Sequence, residues 1–259
     1  MTHSDAVNGA VETARFKNIS FDDYGLRAVD ATLSNNEKVG FPDAFRDGHS
    51  ETIWNDLLQK LPALSRRGTR ILDIGCGCGH LPQALIQHAL VHDQHLTMID
   101  HPNMLAQLEH VENVRLVGGQ FPGILKTHAD VAESKFDVIV CYSVLQVAAA
   151  EMNPFLFADS AVELLAAGGQ LIFGDIPNFS KLRRFLANDT GRAFHKSYMQ
   201  TDSDPDVKAF AIDKTRLDDG FILGLLTHLR MGGFEAYVLP QPQSLPLSTR
   251  REDVLVIAL

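Results

Sequence analysis

Residues 71–80 constrain the fold of this 259-residue chain more than any other stretch. They read Ile-Leu-Asp-Ile-Gly-Cys-Gly-Cys-Gly-His, an apolar run followed by three glycines at alternate positions. Leu81, Leu85 and Ala89 then recur four residues apart, which is the spacing of one helix face. The pattern predicts a buried strand, a glycine turn and a helix. Such a turn lets the backbone approach a ligand closely, and the helix after it offers unpaired N–H groups.

The spacing of the glycines separates two classes of ligand. The dinucleotide fingerprint places its glycines two and then three residues apart, whereas Gly75, Gly77 and Gly79 lie two and two apart. His80 stands where the third fingerprint glycine would be, and Asp73 precedes the first glycine by two residues. A carboxylate at a strand end suits a ligand with hydroxyl or ammonium donors better than a pyrophosphate. A glycine turn without a ligand is the remaining alternative.

The sequence Leu-Asp-Ile-Gly-Cys-Gly-Cys-Gly of residues 72–79 closely resembles motif I of the class I S-adenosylmethionine (SAM) methyltransferases. The resemblance covers about residues 62–259, although only this motif is specific. It implies SAM as the cofactor, methyl transfer as the activity and a sheet with strand order 3-2-1-4-5-7-6.

Composition and charge disfavour several classes of protein. The formal net charge of −9 argues against a general nucleic-acid binder. No apolar run reaches the roughly 18 residues that span a bilayer, and the first residues lack the pattern of a signal peptide. The cysteines number 3, and two of them lie in the glycine turn, which argues for a reducing compartment. We therefore expect a cytoplasmic protein without a membrane or nucleic-acid partner.

Apolar runs and helical patterns alternate after the glycine turn. This alternation predicts a mainly parallel sheet with right-handed crossovers. The last two runs are joined without a helix, which predicts an antiparallel last strand. We expect an α/β, Rossmann-like class I methyltransferase fold with a seven-stranded sheet. Residues 1–61 are predicted to form an N-terminal lid or appendage, and residues 62–259 a SAM-binding domain with a lid insertion at 176–216.

Special residues follow the predicted strands at their carboxyl ends, where ligands bind in such sheets. They are Asp73, Asp100, Gln120, Cys141 and Asp175. Because the carboxyl ends of parallel strands share one edge of the sheet, we expect these side chains to surround one site.

The resemblance assigns cofactor roles to several of these positions. Asp100, about 27 residues after Asp73, would accept hydrogen bonds from both ribose hydroxyls. Asp73 would lie near the ammonium group, and Gln120 would replace the acid that meets the adenine amino group in many relatives. The full predicted cofactor set is Asp73, Gly75, Cys76, Gly77, Gly79, Asp100, His101, Met104, Gln120 and Cys141.

Residues 181–196 hold five cations and a single acid, Asp189. They form either a solvated helix face or a lid that binds an anionic acceptor such as a phosphate or nucleotide sugar. A neutral hydroxyl acceptor would need a general base, for which Asp175 and His195 are the candidates, whereas an anionic oxygen needs none. The predicted acceptor-binding residues are Tyr24, Arg46, His49, Arg183, Arg184 and Tyr198.

Residues 33–42, together with Arg46, resemble methyltransferases found with bacterial capsule and surface-polysaccharide enzymes, some of which form an O-methyl phosphoramidate group. This resemblance implies an O-methyltransferase for a small anionic acceptor of phosphate, phosphoramidate or nucleotide-sugar type. A non-catalytic SAM-binding regulator or partner subunit, and an NAD(P)-dependent oxidoreductase, are the alternatives.

Three histidines, His88, His92 and His95, fall close together in the sequence. No cysteine or carboxylate cluster accompanies them, so a helix surface that runs into a loop is favoured over a metal site. We predict no metal.

Overall fold

The structure is a computed structural model that describes Phe16 and residues 19–207 and 217–259. Most of the first eighteen residues of the predicted lid, and residues 208–216 of the predicted insertion, therefore lie outside the described residues. The strands of the described part are β1 Arg70–Ile74, β2 His95–Asp100, β3 Val114–Gly118, β4 Phe136–Tyr142, β5 Leu165–Pro177, β6 Phe234–Pro240 and β7 Arg251–Ala258.

The helices of the described residues lie before, between and after these strands. In chain order they are α1 Phe21–Val29, α2 Asn35–Lys38, α3 Ser50–Lys60, α4 His80–Val91, α5 Pro102–Leu105, α6 Ala129–Ala132, α7 Leu145–Glu151, α8 Pro154–Val162, α9 Phe179–Leu186, α10 Asp189–Met199 and α11 Asp219–Met231.

The strands form one sheet in the order β3-β2-β1-β4-β5-β7-β6. The pairs from β3 to β5 are parallel, while β7 runs antiparallel to both β5 and β6. The predicted α/β fold with its strand order is confirmed. The predicted strand at 170–173 is longer than expected, because Ile176 and Pro177 pair with the start of β7.

The core consists of two apolar layers, one on each face of the sheet. Alternate residues of the central strands point to opposite layers, as the pleat requires. Ile139 and Leu171 pack with α8 and α11 in one layer. Val138 and Ile172 pack with α3 and α4 in the other. The sheet is thus covered on both faces, and its carboxyl edge is left to form a site.

The segment before the first strand forms helices over that edge. Ser20 begins α1 and Ser34 begins α2, each with a capping box in which the serine hydroxyl accepts from a backbone N–H three residues on. Asn103 donates to the Gly25 carbonyl (3.0 Å), and the His101 ring packs against Gly25 where any side chain would collide with it. These contacts fix α1 against the end of β2.

The predicted insertion after β5 contains two helices, α9 and α10, capped by Asn178 and Asn188. No helix among the described residues is long and apolar enough to cross a membrane.

Candidate active site

The glycine turn connects β1 to α4 with backbone torsions that favour glycine. Gly75 and Gly77 have φ of +70° and +67°. A Cβ added to Gly75 would lie 2.5 Å from Val144, and one on Gly77 would lie 2.9 Å from Val39. The turn is therefore both strained for other residues and closely covered, and it exposes backbone N–H groups at the start of α4.

Asp100, at the end of β2, lies against this turn. Its Oδ2 accepts from the Gly77 N–H and its Oδ1 from the His101 N–H, both at 2.6 Å. Burial raises the pKa of Asp100, although these two hydrogen bonds act to lower it. Each carboxylate oxygen keeps a further lone pair, so the side chain can still accept from a diol.

Asp73 is buried at the end of β1 and is unusual in its lack of partners. Its Oδ2 has no hydrogen-bond partner among the described residues. Burial, and then the charge of Asp100, raises the pKa of Asp73 to about 8. A buried carboxyl group of this kind is stabilised as the anion by a cationic ligand.

The far side of the pocket is lined by Met104, Gln120 and Phe121. Gln120 Nε2 donates to Glu151 Oε2 (2.6 Å), and Glu151 Oε1 accepts from the Phe21 N–H (2.8 Å). Because the amide donor of Gln120 is engaged by Glu151, its carbonyl is the group that remains to accept from an adenine amino group.

Three predicted cofactor residues, Asp73, His101 and Cys141, lie outside the pocket lining formed by the described residues. Asp73 is buried directly before the lining residues Ile74 and Gly75. His101 instead accepts from the Asn103 N–H (3.1 Å) and packs on the Phe21 ring (5.2 Å between centroids). Cys141 is fully buried in the core, because alternation along β4 turns the following residue, Tyr142, toward the pocket. Cys76, by contrast, lines the pocket.

These residues fit a SAM molecule. The glycine turn would receive its amino acid and ribose portions, Asp100 the ribose hydroxyls, Asp73 the ammonium group and Gln120 the adenine. The unpaired Asp73 oxygen carries the fit, because the ammonium group would supply the cation that this buried carboxyl group lacks. The glycine turn contributes bare backbone to the pocket lining. When bound, SAM supplies an electrophilic methyl group on a sulfonium.

The other end of the pocket contains a buried arginine among aromatic rings. Tyr24, Phe41, Arg46 and Tyr142 all line it. The Arg46 guanidinium stacks on Phe41 at 3.9 Å from the ring centroid. Its Nη2 donates to Asp175 Oδ2 (2.6 Å) and to the Ser143 hydroxyl (3.1 Å). The arginine is therefore held in one orientation.

Asp175 is ion-paired, which disfavours the role of general base. Burial acts to raise its pKa, but the charges of Arg251 and Arg46 and the hydrogen bond from Ser143 hold the pKa of Asp175 below its usual value. Asp175 and Ser143 also have positive φ, +56° and +61°. Strained backbone at two facing strand ends is a feature of functional sites, where the surroundings enforce it.

His195 lies on α10, outside the pocket lining that the described residues form. The second candidate base, His195, is therefore not among the side chains that line the pocket.

The five cations of residues 181–196 all have partners within the protein. Arg183 donates to the Val207 carbonyl (2.9 Å), Lys196 pairs with Asp204 (2.9 Å), and Arg184 pairs with Asp219. The remaining partners are Asp189 for Arg192, and the Arg251 carbonyl and Glu252 for Lys181. The predicted lid is therefore largely neutralised, and Arg183 and Arg184 do not line the pocket.

His49 and Tyr198, two other predicted acceptor residues, also lie outside that lining. His49 is the residue before α3, and Tyr198 stacks on Phe45 (5.9 Å between centroids).

The side chains of His88 and His92, two of the three clustered histidines, contact each other and backbone carbonyls. The His88 and His92 rings stack at 3.9 Å, and their ring nitrogens contact the carbonyls of Leu64 (2.9 Å) and His88 (3.0 Å). No group of three metal-ligating side chains occurs within the part of the chain that the structure describes.

The predicted residue set lacks several pocket residues. Of the stretch Cys141-Tyr142-Ser143 that follows the fourth strand it names Cys141, whereas Tyr142 and Ser143 are the residues that line the pocket. Phe21, Val39 and Glu151 gave no such signal, because they reach the pocket through tertiary contacts.

Comparisons with known proteins agree with this geometry. Residues 72–171 match the family model described as "Methyltransferase domain". No curated protein sequence matches the chain significantly.

Several solved structures have a similar fold. The plantazolicin methyltransferase BamL, in complex with a triazolic desmethylPZN analog and SAH, is 14% identical with a TM-score of 0.55, over 91% of this chain and 97% of that one. The magnesium protoporphyrin IX methyltransferase ChlM from Synechocystis PCC 6803, with bound SAH, is 15% identical with a TM-score of 0.53, over 92% and 94%. The CurJ carbon methyltransferase is 15% identical with a TM-score of 0.55, over 98% and 68%.

The solved structures establish the fold, and the family model covers the glycine turn, Asp100 and the end of β4. SAM is the methyl donor that this fold and these residues accommodate. The class I fold and the methyltransferase domain matched over residues 72–171 support SAM-dependent methyl transfer as the activity.

Proposed function

We propose that the protein transfers the methyl group of SAM to an oxygen of a small acceptor whose anionic group binds Arg46. The observation that carries this proposal is the placement of Arg46. It lines the same pocket as the glycine turn, it is buried, and Nη2 alone makes its contacts with Asp175 and Ser143. Its remaining N–H groups are the donors we assign to the acceptor.

The state of Asp175 supports an acceptor oxygen that is already anionic. A carboxylate bound by two guanidinium groups, with a lowered pKa, is a weak proton acceptor. An anionic oxygen needs no base, and the protein then contributes chiefly the alignment of oxygen, methyl carbon and sulfur. Asp175 is on this proposal a positioning residue for Arg46.

The aromatic rings of Tyr24, Phe41 and Tyr142 support an acceptor with an apolar or planar portion. We propose that residues up to 61 act as the lid, since Val39 covers Gly77 and Arg46 joins the end of β5. A phosphoramidate or nucleotide-sugar acceptor of bacterial polysaccharide biosynthesis fits this chemistry, although its pathway rests on the resemblance of residues 33–42 alone.

A transfer assay tests the proposal. Labelled SAM is incubated with phosphorylated sugars, nucleotide sugars and small carboxylic acids, and the labelled product is identified. Arg46→Gln should raise the acceptor KM while the SAH affinity stays unchanged, and Arg184→Gln, on the exposed face of α9, is the matched control.

Two outcomes would favour the alternatives. SAH binding without turnover on any acceptor would favour a non-catalytic SAM-binding regulator. Binding of NADH without binding of SAH would favour an oxidoreductase.

A further inference from the structure

Three arginines lie around the carboxyl end of β5, and one carboxylate, Asp175, pairs with two of them. Arg46 and Arg251 both approach Asp175, with Nη2–Oδ2 at 2.6 Å and Nη1–Oδ2 at 3.8 Å. Arg250, the residue before Arg251, forms no ion pair with any carboxylate of the described residues. The cluster therefore carries more positive than negative charge.

Neighbouring acids reduce this excess of positive charge but do not remove it. Asp56 and Asp253 share the Lys60 ammonium, at 2.5 and 2.6 Å. Asp253 also accepts from the Asp175 N–H (2.7 Å) and from Gln241 (2.9 Å). Both acids are therefore already paired. Counted together, the three guanidinium groups and the Lys60 ammonium carry one more charge than the carboxylates of Asp56, Asp175 and Asp253.

Two donors of the cluster are buried without a partner. They are the Nε atoms of Arg250 and Arg251, neither of which has a hydrogen-bond acceptor among the described residues. Burial lowers the pKa of both arginines, and the charge of Arg251 lowers the pKa of Arg250 further. Buried donors in native proteins are almost always hydrogen-bonded, so these two call for an acceptor that an anionic ligand can supply.

Aromatic rings flank the guanidinium of Arg250. It lies over the Phe45 ring at 5.4 Å, and Tyr198 stacks on the same ring at 5.9 Å. Phe194 continues the stack at 5.7 Å, and both Tyr198 and Phe194 are 42% exposed. Phe45 directly precedes Arg46, so this aromatic surface begins beside the acceptor end of the pocket.

We propose that Arg250, with Phe45 and Tyr198 beside it, is a phosphate subsite for a distal part of the acceptor. This inference rests on the proposed function, since it extends the anion contact at Arg46 to a second anionic group. Phosphate suits the site because the planar fork of arginine pairs with two of its oxygens, and because it supplies the negative charge that the cluster lacks.

Titration of inorganic pyrophosphate into the full chain saturated with SAH tests the subsite. Calorimetry at low ionic strength should show binding that Arg250→Gln weakens about tenfold or more, as expected for the loss of a bidentate charged contact. Arg250→Lys, which keeps the charge but not the fork, should lose less. Arg192→Gln is the control, because Arg192 is an exposed α10 cation paired with Asp189.

The wild type failing to bind pyrophosphate, or an equal loss in Arg192→Gln, would overturn the subsite. Should Arg250→Gln not fold, Arg250→Lys decides, and an affinity unchanged from the wild type would then overturn it. Failure of SAH to bind contradicts the proposed function instead, so the two failures are distinguishable.

Discussion

Asp73 and Asp175 are both buried carboxylic acids at strand ends of the same sheet, yet their surroundings are opposite. Asp73 has an oxygen without a partner and a pKa raised to about 8, first by burial and then by Asp100. Asp175 is equally buried, but Arg251 and Arg46 lower its pKa. The first acid lacks a cation, which the cofactor can supply. The second has cations in excess, which an acceptor anion can balance.

The largest effect is expected from removing a cation at the acceptor end. Arg46→Ala leaves Asp175 buried with one guanidinium fewer, and breaking a buried ion pair costs about 3–5 kcal/mol of unfolding free energy. Urea unfolding of the ligand-free protein measures it. A cost below about 1 kcal/mol, the value of a surface pair, would mean that Arg251 alone satisfies Asp175.

At the cofactor end, Asp100→Ala should weaken SAH binding by about 1–3 kcal/mol, because the ligand hydroxyls lose their acceptor. Calorimetric titration with SAH measures the change. An unchanged affinity for SAH would show that Asp100 does not bind the ribose hydroxyls. Its role would then be limited to the hydrogen bonds from the Gly77 and His101 N–H groups.

The raised pKa of Asp73 predicts a pH dependence that the variant Asp73→Asn should lack. The folded protein holds this proton up to about pH 8 while the unfolded chain releases it near pH 4, so the stability falls as pH rises between them. The slope is at most about 1.4 kcal/mol per pH unit.

Unfolding of the ligand-free wild type and Asp73→Asn at pH 5 and pH 8 tests this slope. The free energy of unfolding of Asp73→Asn should rise relative to that of the wild type as the pH increases from 5 to 8. Asp175, whose pKa is lowered, acts in the opposite direction and below about pH 4, so it does not enter this window. Parallel stability curves would show that Asp73 is ionised throughout.

The smallest effect is expected at the exposed face of α9. Arg184 and Asp219 form a surface pair, and such pairs contribute about 0–1 kcal/mol because solvent screens them. Arg184→Ala should therefore change neither stability nor the acceptor KM appreciably. A large increase in KM would restore the α9–α10 lid as the anion site.

The cofactor end could be predicted because its determinants are local. The glycine turn is contiguous, and Asp100 follows from the length of one strand–helix–strand unit. The alternation of patterns predicted the mainly parallel sheet, and the family resemblance supplied its strand order. The full length of β5 depends on its pairing with β7, which no local pattern encodes.

The acceptor end could not be predicted in the same way, because ion pairs join distant parts of the chain. Counting charges over residues 181–196 indicated free cations, but Asp219 and Glu252 neutralise Arg184 and Lys181 from later in the sequence. Conversely, the local sequence around Arg250 and Arg251 does not indicate a site, and only the fold brings Arg251 to Asp175 with Arg250 beside it.

Val39 lies on Gly77, and Arg46, seven residues later, joins the end of β5. Substitutions in this short stretch that broaden the range of molecules methylated should also alter how fast the spent donor leaves. Selection for a different range of substrates would therefore also change the release rate of the spent donor. A loop graft intended to change substrate choice would have to be screened for turnover as well.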